Sequence, residues 1–174
     1  NPQIVLSAQT GTKPNAAITV TETDGNTQTS DALQVTNANG GLLINNAQVS
    51  LDTRTFNNAV GSSATMSNFA EVGFANGAVF NNNGTFLAQT SNGFSDGFFD
   101  FGGGGTFNNT GTFTRNTGPT VFTVSSGIAF NNSGTVNVQS GTLALQGGDG
   151  GSTTGDFNIS SGAILQFASN FNLA

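Results

Sequence analysis

One short phrase occurs three times in this chain with almost no change: Phe80-Asn-Asn-Asn-Gly-Thr-Phe86, Phe107-Asn-Asn-Thr-Gly-Thr-Phe113 and Phe130-Asn-Asn-Ser-Gly-Thr-Val136. The copies begin 27 and 23 residues apart. A fixed phrase recurring at a period in the twenties is the mark of a stacked repeat architecture, because one such unit cannot bury its apolar face alone. Stacked neighbours share a continuous core and present a long, regular surface. A β-sandwich also contains many short strands, but it gives no reason for one phrase to return in register.

The segments between the phrases alternate apolar and small or polar residues over short runs, as half-buried strands do. Val136-Asn-Val138 and Leu143-Ala-Leu145 flank a Gln139-Ser-Gly141 turn, and Phe157-Asn-Ile159, Ser160-Ser-Gly162 and Ile164-Leu-Gln-Phe167 repeat the arrangement. Gly and Asn interrupt nearly every helix-length window. Each repeat reads as strand, Gly turn, strand, Gly turn. The expectation is an all-β parallel β-helix, or β-solenoid, of about seven or eight coils, with a stack roughly 35–40 Å long at the usual strand spacing. Residues 56–174 form the regular repeats. Residues 1–55, where Phe is absent until position 56, read as irregular initial coils or a cap. The unequal periods place insertions at turns, and Ser95–Gly105, with four glycines in a row at its end, is the expected place for one.

Within the phrase, the first Phe points inward and stacks on its counterpart one coil away, giving a column of Phe80, Phe107 and Phe130. A second column follows from Phe86, Phe113, Val136 and Phe157. Offset-stacked or edge-to-face rings add about 0.5–1.5 kcal/mol per pair beyond burial. Asn82, Asn109 and Asn132 recur at one position, and stacked amides can hydrogen-bond along the axis as they do in cross-β ladders. The Asn-Asn-x-Gly run is expected to supply a tight turn, since Asn and Gly tolerate left-handed backbone. Sequons at Asn83, Asn108, Asn131 and Asn158 follow from the same phrase and matter only in a glycosylating pathway.

The composition argues against chemistry in a pocket. Histidine and cysteine are both absent, which removes the commonest general base and, besides serine, the commonest nucleophile. Asp96 and Asp100 are spaced for a carboxylate pair, but the chain has no Trp or Tyr against which a sugar substrate would stack. The expectation is a protein that is not an enzyme and needs no cofactor. Calcium is the only metal to weigh, through Asp96, Asp100, Asp149 and Asp156 with backbone carbonyls; Gly147-Gly-Asp-Gly-Gly151 carries one imperfect acidic glycine motif. Three basic and nine acidic residues, a net charge of −6, disfavour nucleic acid, which clustered cations bind. No apolar run reaches the roughly 20 residues of a membrane helix.

The run Phe130-Asn-Asn-Ser-Gly-Thr-Val-Asn-Val-Gln-Ser-Gly-Thr-Leu-Ala-Leu145 and its relatives over residues 56–167 resemble the repeats of large secreted bacterial surface proteins of the filamentous-haemagglutinin and autotransporter-passenger type. That resemblance implies a right-handed parallel β-helix, secreted to the cell surface, serving as an adhesive stalk or fibre that meets a surface glycan or host receptor. The ends of the chain suggest how a fibre would form. Ile4, Val5 and Leu6 make an uncharged strand, and Phe167, Phe171 and Leu173 lie in a tail with no charge after Asp156. Apolar, uncapped end coils favour head-to-tail joining into a homopolymer. The alternative is an ice- or carbohydrate-binding module, in which Thr85, Thr112 and Thr135 form a surface column.

Overall fold

The computed structural model describes residues 4–7, 20–21, 27–28, 35–38, 41–45, 47–91, 96–151 and 153–173. Among these residues there is no helix, and the chain winds as a parallel β-solenoid. Each full coil contributes three strands, one to each of three faces. The first coil is β4 (Val35–Ala38), β5 (Leu42–Asn45) and β6 (Gln48–Asp52). The second is β7 (Thr55–Asn58), β8 (Ser63–Asn68) and β9 (Glu71–Ala75), and the third β10 (Ala78–Asn82), β11 (Thr85–Thr90) and β12 (Gly97–Gly102). The fourth and fifth are β13 (Gly105–Asn109), β14 (Thr112–Arg115), β15 (Val121–Val124), then β16 (Ile128–Asn132), β17 (Thr135–Val138), β18 (Thr142–Leu145). A partial sixth coil holds β19 (Asp156–Ile159) and β20 (Ile164–Phe167). Ahead of these, β1 (Ile4–Ser7) pairs with β5, while β2 (Val20–Thr21) and β3 (Thr27–Gln28) form a separate antiparallel pair.

The all-β solenoid expected from the repeats is therefore present, with two corrections. There are five complete coils and a sixth partial one rather than seven or eight, because residues before Val35 supply only β1, β2 and β3 among the described residues. Each coil also has three strands, not two. The Phe-Asn-Asn of the phrase is itself the end of a strand, and it meets the next strand at a corner of only two residues, such as 83–84 or 110–111.

That corner explains the invariant glycine differently from the sequence reading. Gly84, Gly111 and Gly134 are not in left-handed backbone. They stack on one another along the axis: a Cβ on Gly111 would collide with the carbonyl oxygen of Gly84, and one on Gly134 with that of Gly111. Thr112 N–H and Thr135 N–H donate to those same two carbonyls, at 2.9 Å each. Glycine is needed here for close approach between coils.

The Gly-rich segment is not the insertion expected. Gly97–Gly102 is a strand of the third face, paired with β9 through a bulge at Asp100/Gly102. Only Gly103 and Gly104 turn the corner, with φ of 83° and 68°. The longer links lie between the second and third faces, at 91–96 and 116–120, where the preceding coil uses only 69–70.

The interior is aromatic. Phe56 faces Phe80 at 4.9 Å between ring centroids, Phe80 faces Phe107 at 5.2 Å, and Phe107 faces Phe130 at 5.2 Å. The second column runs through Phe86 and Phe113, 5.1 Å apart and 5° from parallel, then Val136 and Phe157 in strict register. Edge-to-face contacts tie the columns together, as between Phe107 and Phe113 at 5.9 Å. Phe98 from the third face completes the cluster, 4.8 Å from Phe107 and 5.1 Å from Phe122.

Candidate functional site

Two asparagine ladders run along the first face, set by the period-two alternation of its strands. The inner ladder comprises Asn58, Asn82, Asn109 and Asn132, all buried. Each of the first three Nδ2 groups donates to the next coil's Asn Oδ1 at 2.7 Å and to a backbone carbonyl (Thr85, Thr112 or Thr135) at 3.0–3.1 Å. Both protons of those buried amides are thus used, which removes the cost of desolvating them. The expected positions Asn82, Asn109 and Asn132 do stack, but as strand residues inside the core rather than as turn residues.

The outer ladder was not anticipated. Asn81 donates to Asn57, Asn108 to Asn81, and Asn131 to Asn108, each at 2.8 Å. It runs the opposite way, with donors pointing toward the N-terminal coils. These side chains are half-buried on the outside of the sheet, and two of them are the sequon residues Asn108 and Asn131, which lie in strands. The doubled Asn-Asn of the phrase is the signal: in a strand, adjacent residues must face opposite sides.

Asn81, Asn108 and Asn131 line an open groove of about 470 Å³ together with Thr110, Ser133 and the 149–151 loop. Among the described residues the acidic side chains do not gather there or elsewhere. Asp100 Oδ1 accepts the N–H groups of Gly102 (2.8 Å) and Gly104 (2.9 Å) and so closes the glycine corner. Asp149 accepts from Gly151 N–H at 3.3 Å and Asn172 N–H at 2.9 Å. Burial pushes its carboxyl upward, but the hydrogen bonds it accepts, those from Asn172 and Gly151 foremost, together outweigh burial and hold the group below the usual carboxylate range. Asp156 is exposed on β19, and Asp96 is buried. Among the described residues no cluster of three or more His, Cys, Asp or Glu could hold a metal ion.

Arg115 is the largest departure from the sequence reading. It is fully buried, at an inward position of β14 between Ala88 and Val138. Its Nη1 donates to the carbonyls of Ala88 (3.0 Å) and Thr90 (2.9 Å), and its Nη2 to Thr120 O (3.0 Å) and Oγ1 (2.7 Å). Burial lowers its pKa from the ordinary arginine value, while the charge of Asp96 opposes that shift. Small Ala88 in the preceding coil leaves the space, and the carbonyls of Thr90 and Thr120 meet the charge where the second face ends and the third begins. Arg115 falls two residues after inward Phe113, which in an alternating strand marks it as inward too.

At the ends of the stack, Ile4, Val5 and Leu6 are not free: β1 pairs in parallel with β5, through Ile4↔Leu42, Val5↔Leu43 and Leu6↔Ile44. Among the described residues β1 is the terminal strand of the second face at this end. At the other end the last coil is open. Ile159, Ile164, Phe167 and Leu173 are 47, 56, 37 and 56% exposed. Phe171 is half-buried and sits 4.6 Å from Phe167. On the second face, Thr85, Thr112 and Thr135 do lie in one outward row, but the neighbouring row reads Thr65, Leu87, Thr114 and Asn137. Comparison with protein-family profiles, curated proteins and solved structures yields no match to this chain.

Proposed function

We propose that this chain is a non-enzymatic structural protein, a subunit of a secreted extracellular fibre or adhesin that associates end to end with further copies of itself. The observation that carries this reading is the parallel stack itself, in which each coil's strand edges and apolar side chains are covered by the next coil. The strands of the last coil, β19 and β20, are the terminal strands of two faces among the described residues, and Ile159 and Phe167 reach solvent where Val138 and Leu145, at the equivalent positions one coil earlier, are covered. Exposed strand edges bearing apolar residues are templates for adding another strand. Among the described residues the opposite end of that face is β1, in the same sheet as β19. A contact joining these unlike ends is head-to-tail, so it need not close and grows as a filament. The lack of His and Cys and the dispersal of the acidic residues support a structural role.

Light scattering and negative-stain microscopy test this. The intact chain should form filaments at high concentration, and both Phe167→Asp and deletion of residues 1–7 should return it to monomers. An intact chain that stays monomeric throughout the concentration series would overturn the reading.

A further inference from the structure

We infer that the outer asparagine ladder and its groove form a binding site for a neutral oligosaccharide lying along the solenoid axis. This inference does not depend on the fibre reading. The groove is walled by one row of amides, Asn81, Asn108 and Asn131, taken from three successive coils in strict register. At the usual strand spacing the first and third amides stand roughly 10 Å apart, so the site is linear and suits a short chain of similar units.

Each amide places one Nδ2 proton in the ladder. Unlike the inner ladder, whose second protons reach backbone carbonyls, the outer row has no second acceptor for Asn81, Asn108 or Asn131 among the described contacts. The groove therefore offers a regular series of N–H donors. Asn131 Oδ1, the last of the ladder, is covered from solvent and has no hydrogen-bond partner, so the acceptors open to a ligand are the hydroxyl oxygens beside the amides. Gly150 sits against that amide, and a Cβ there would approach Asn131 Oδ1 to 3.1 Å. The hydroxyls of Thr110 and Ser133 line the same groove. Alternating donors and acceptors along a line are what a polyhydroxylated chain satisfies, since each hydroxyl both donates and accepts.

Charge narrows the ligand further. No Lys or Arg lines the groove, and its one ionisable group is the carboxylate of Asp149. Anionic polymers such as nucleic acids or sulfated glycans are repelled rather than held. No aromatic ring lines the groove, so a single site binds weakly. Repetition of the chain in an assembly would raise the avidity.

The test is an NMR titration of the whole chain with cello-, chito- and manno-oligosaccharides, following the Asn side-chain amide signals. At millimolar ligand, the signals of Asn81, Asn108 and Asn131 and the backbone amides of Thr110, Ser133 and Gly150 should shift together for at least one of the three. Ser133→Arg fills the groove from an exposed corner and should weaken binding by at least about tenfold. Val121→Arg, on the third face, should leave binding unchanged. Absence of shifts with all three series, or shifts that map to another face, would overturn the assignment.

Discussion

Residues 105–145 and residues 156–173 are written in the same alternating pattern, yet only the first set buries its large side chains. Phe107, Phe113, Phe122 and Phe130 have no measurable exposure. Ile159 and Phe167 occupy register positions equivalent to Val138 and Leu145, which are fully covered, and both reach solvent. The difference is not in the strands but in what lies beyond them. A coil of the middle has a coil on each side, and the last has one. In a solenoid, burial is supplied by the neighbour rather than by the residue, so each coil's stability is partly an interface term.

The sharpest way to break this contrast is to truncate one ring in each region. Phe107 touches Phe80, Phe86, Phe98, Phe113 and Phe130, so Phe107→Ala should cost about 3–5 kcal/mol. Phe167→Ala, in a coil covered on one side, should cost less than about 1.5 kcal/mol in the monomer. Denaturant unfolding of both variants measures the pair. Equal costs would mean that the last coil is as well supported as the middle.

A smaller effect separates the two ladders within one coil. Asn109→Ala deprives Asn82 Nδ2, Asn132 Oδ1 and the carbonyl of Thr135 of a buried partner, and such losses cost about 1–3 kcal/mol. Asn108→Ala, on the outside of the same strand, leaves groups that water can reach and should stay within about 0.5 kcal/mol of wild type. Thermal melts of the two neighbours give the comparison directly. A larger loss at Asn108 than at Asn109 would reverse the assignment of inside and outside.

Much of this architecture is legible in the chain because repetition amplifies weak signals. One Phe-Asn-Asn is ambiguous; three in register place Phe80, Phe107 and Phe130 in a column and Asn82, Asn109 and Asn132 in a ladder. The features that escaped are those that do not repeat. Phe98 and Phe122 join the core from the third face, but the links before them differ in length, so their spacing carries no period. Arg115 is a single charge whose acceptors are three backbone carbonyls and the Thr120 hydroxyl, and carbonyls have no signature in sequence. The reason for Gly111 was also hidden: its φ is ordinary, and the constraint is the carbonyl of Gly84 in another coil. The groove required knowing that the 147–151 loop lies against the Asn131 amide, a tertiary fact with no local cause.

The smallest expected effect concerns how the last coil is tied to the rest. Asp149 lies in the link between β18 and β19, and its carboxylate accepts the N–H of Gly151 in that link and of Asn172 in the final segment. Burial raises its pKa and the hydrogen bonds to the carboxylate, led by those of Asn172 and Gly151, lower it by more, so the folded-state value lies below that of the unfolded chain. A carboxyl with a depressed folded pKa contributes stability that is fully present above its unfolded value, roughly 3.9. That contribution disappears as the pH falls through the folded value. Acid should therefore loosen residues 171–173 before it disturbs the Phe107 region, widening the contrast between the two. The amide proton signals of Gly151 and Asn172 should move together in a single titration centred below roughly pH 3.9, and should not titrate in Asp149→Asn. A midpoint at or above the ordinary carboxylate range would show that the hydrogen bonds do not outweigh burial, and that this carboxylate adds nothing to the strand ladders and packing that hold the last coil.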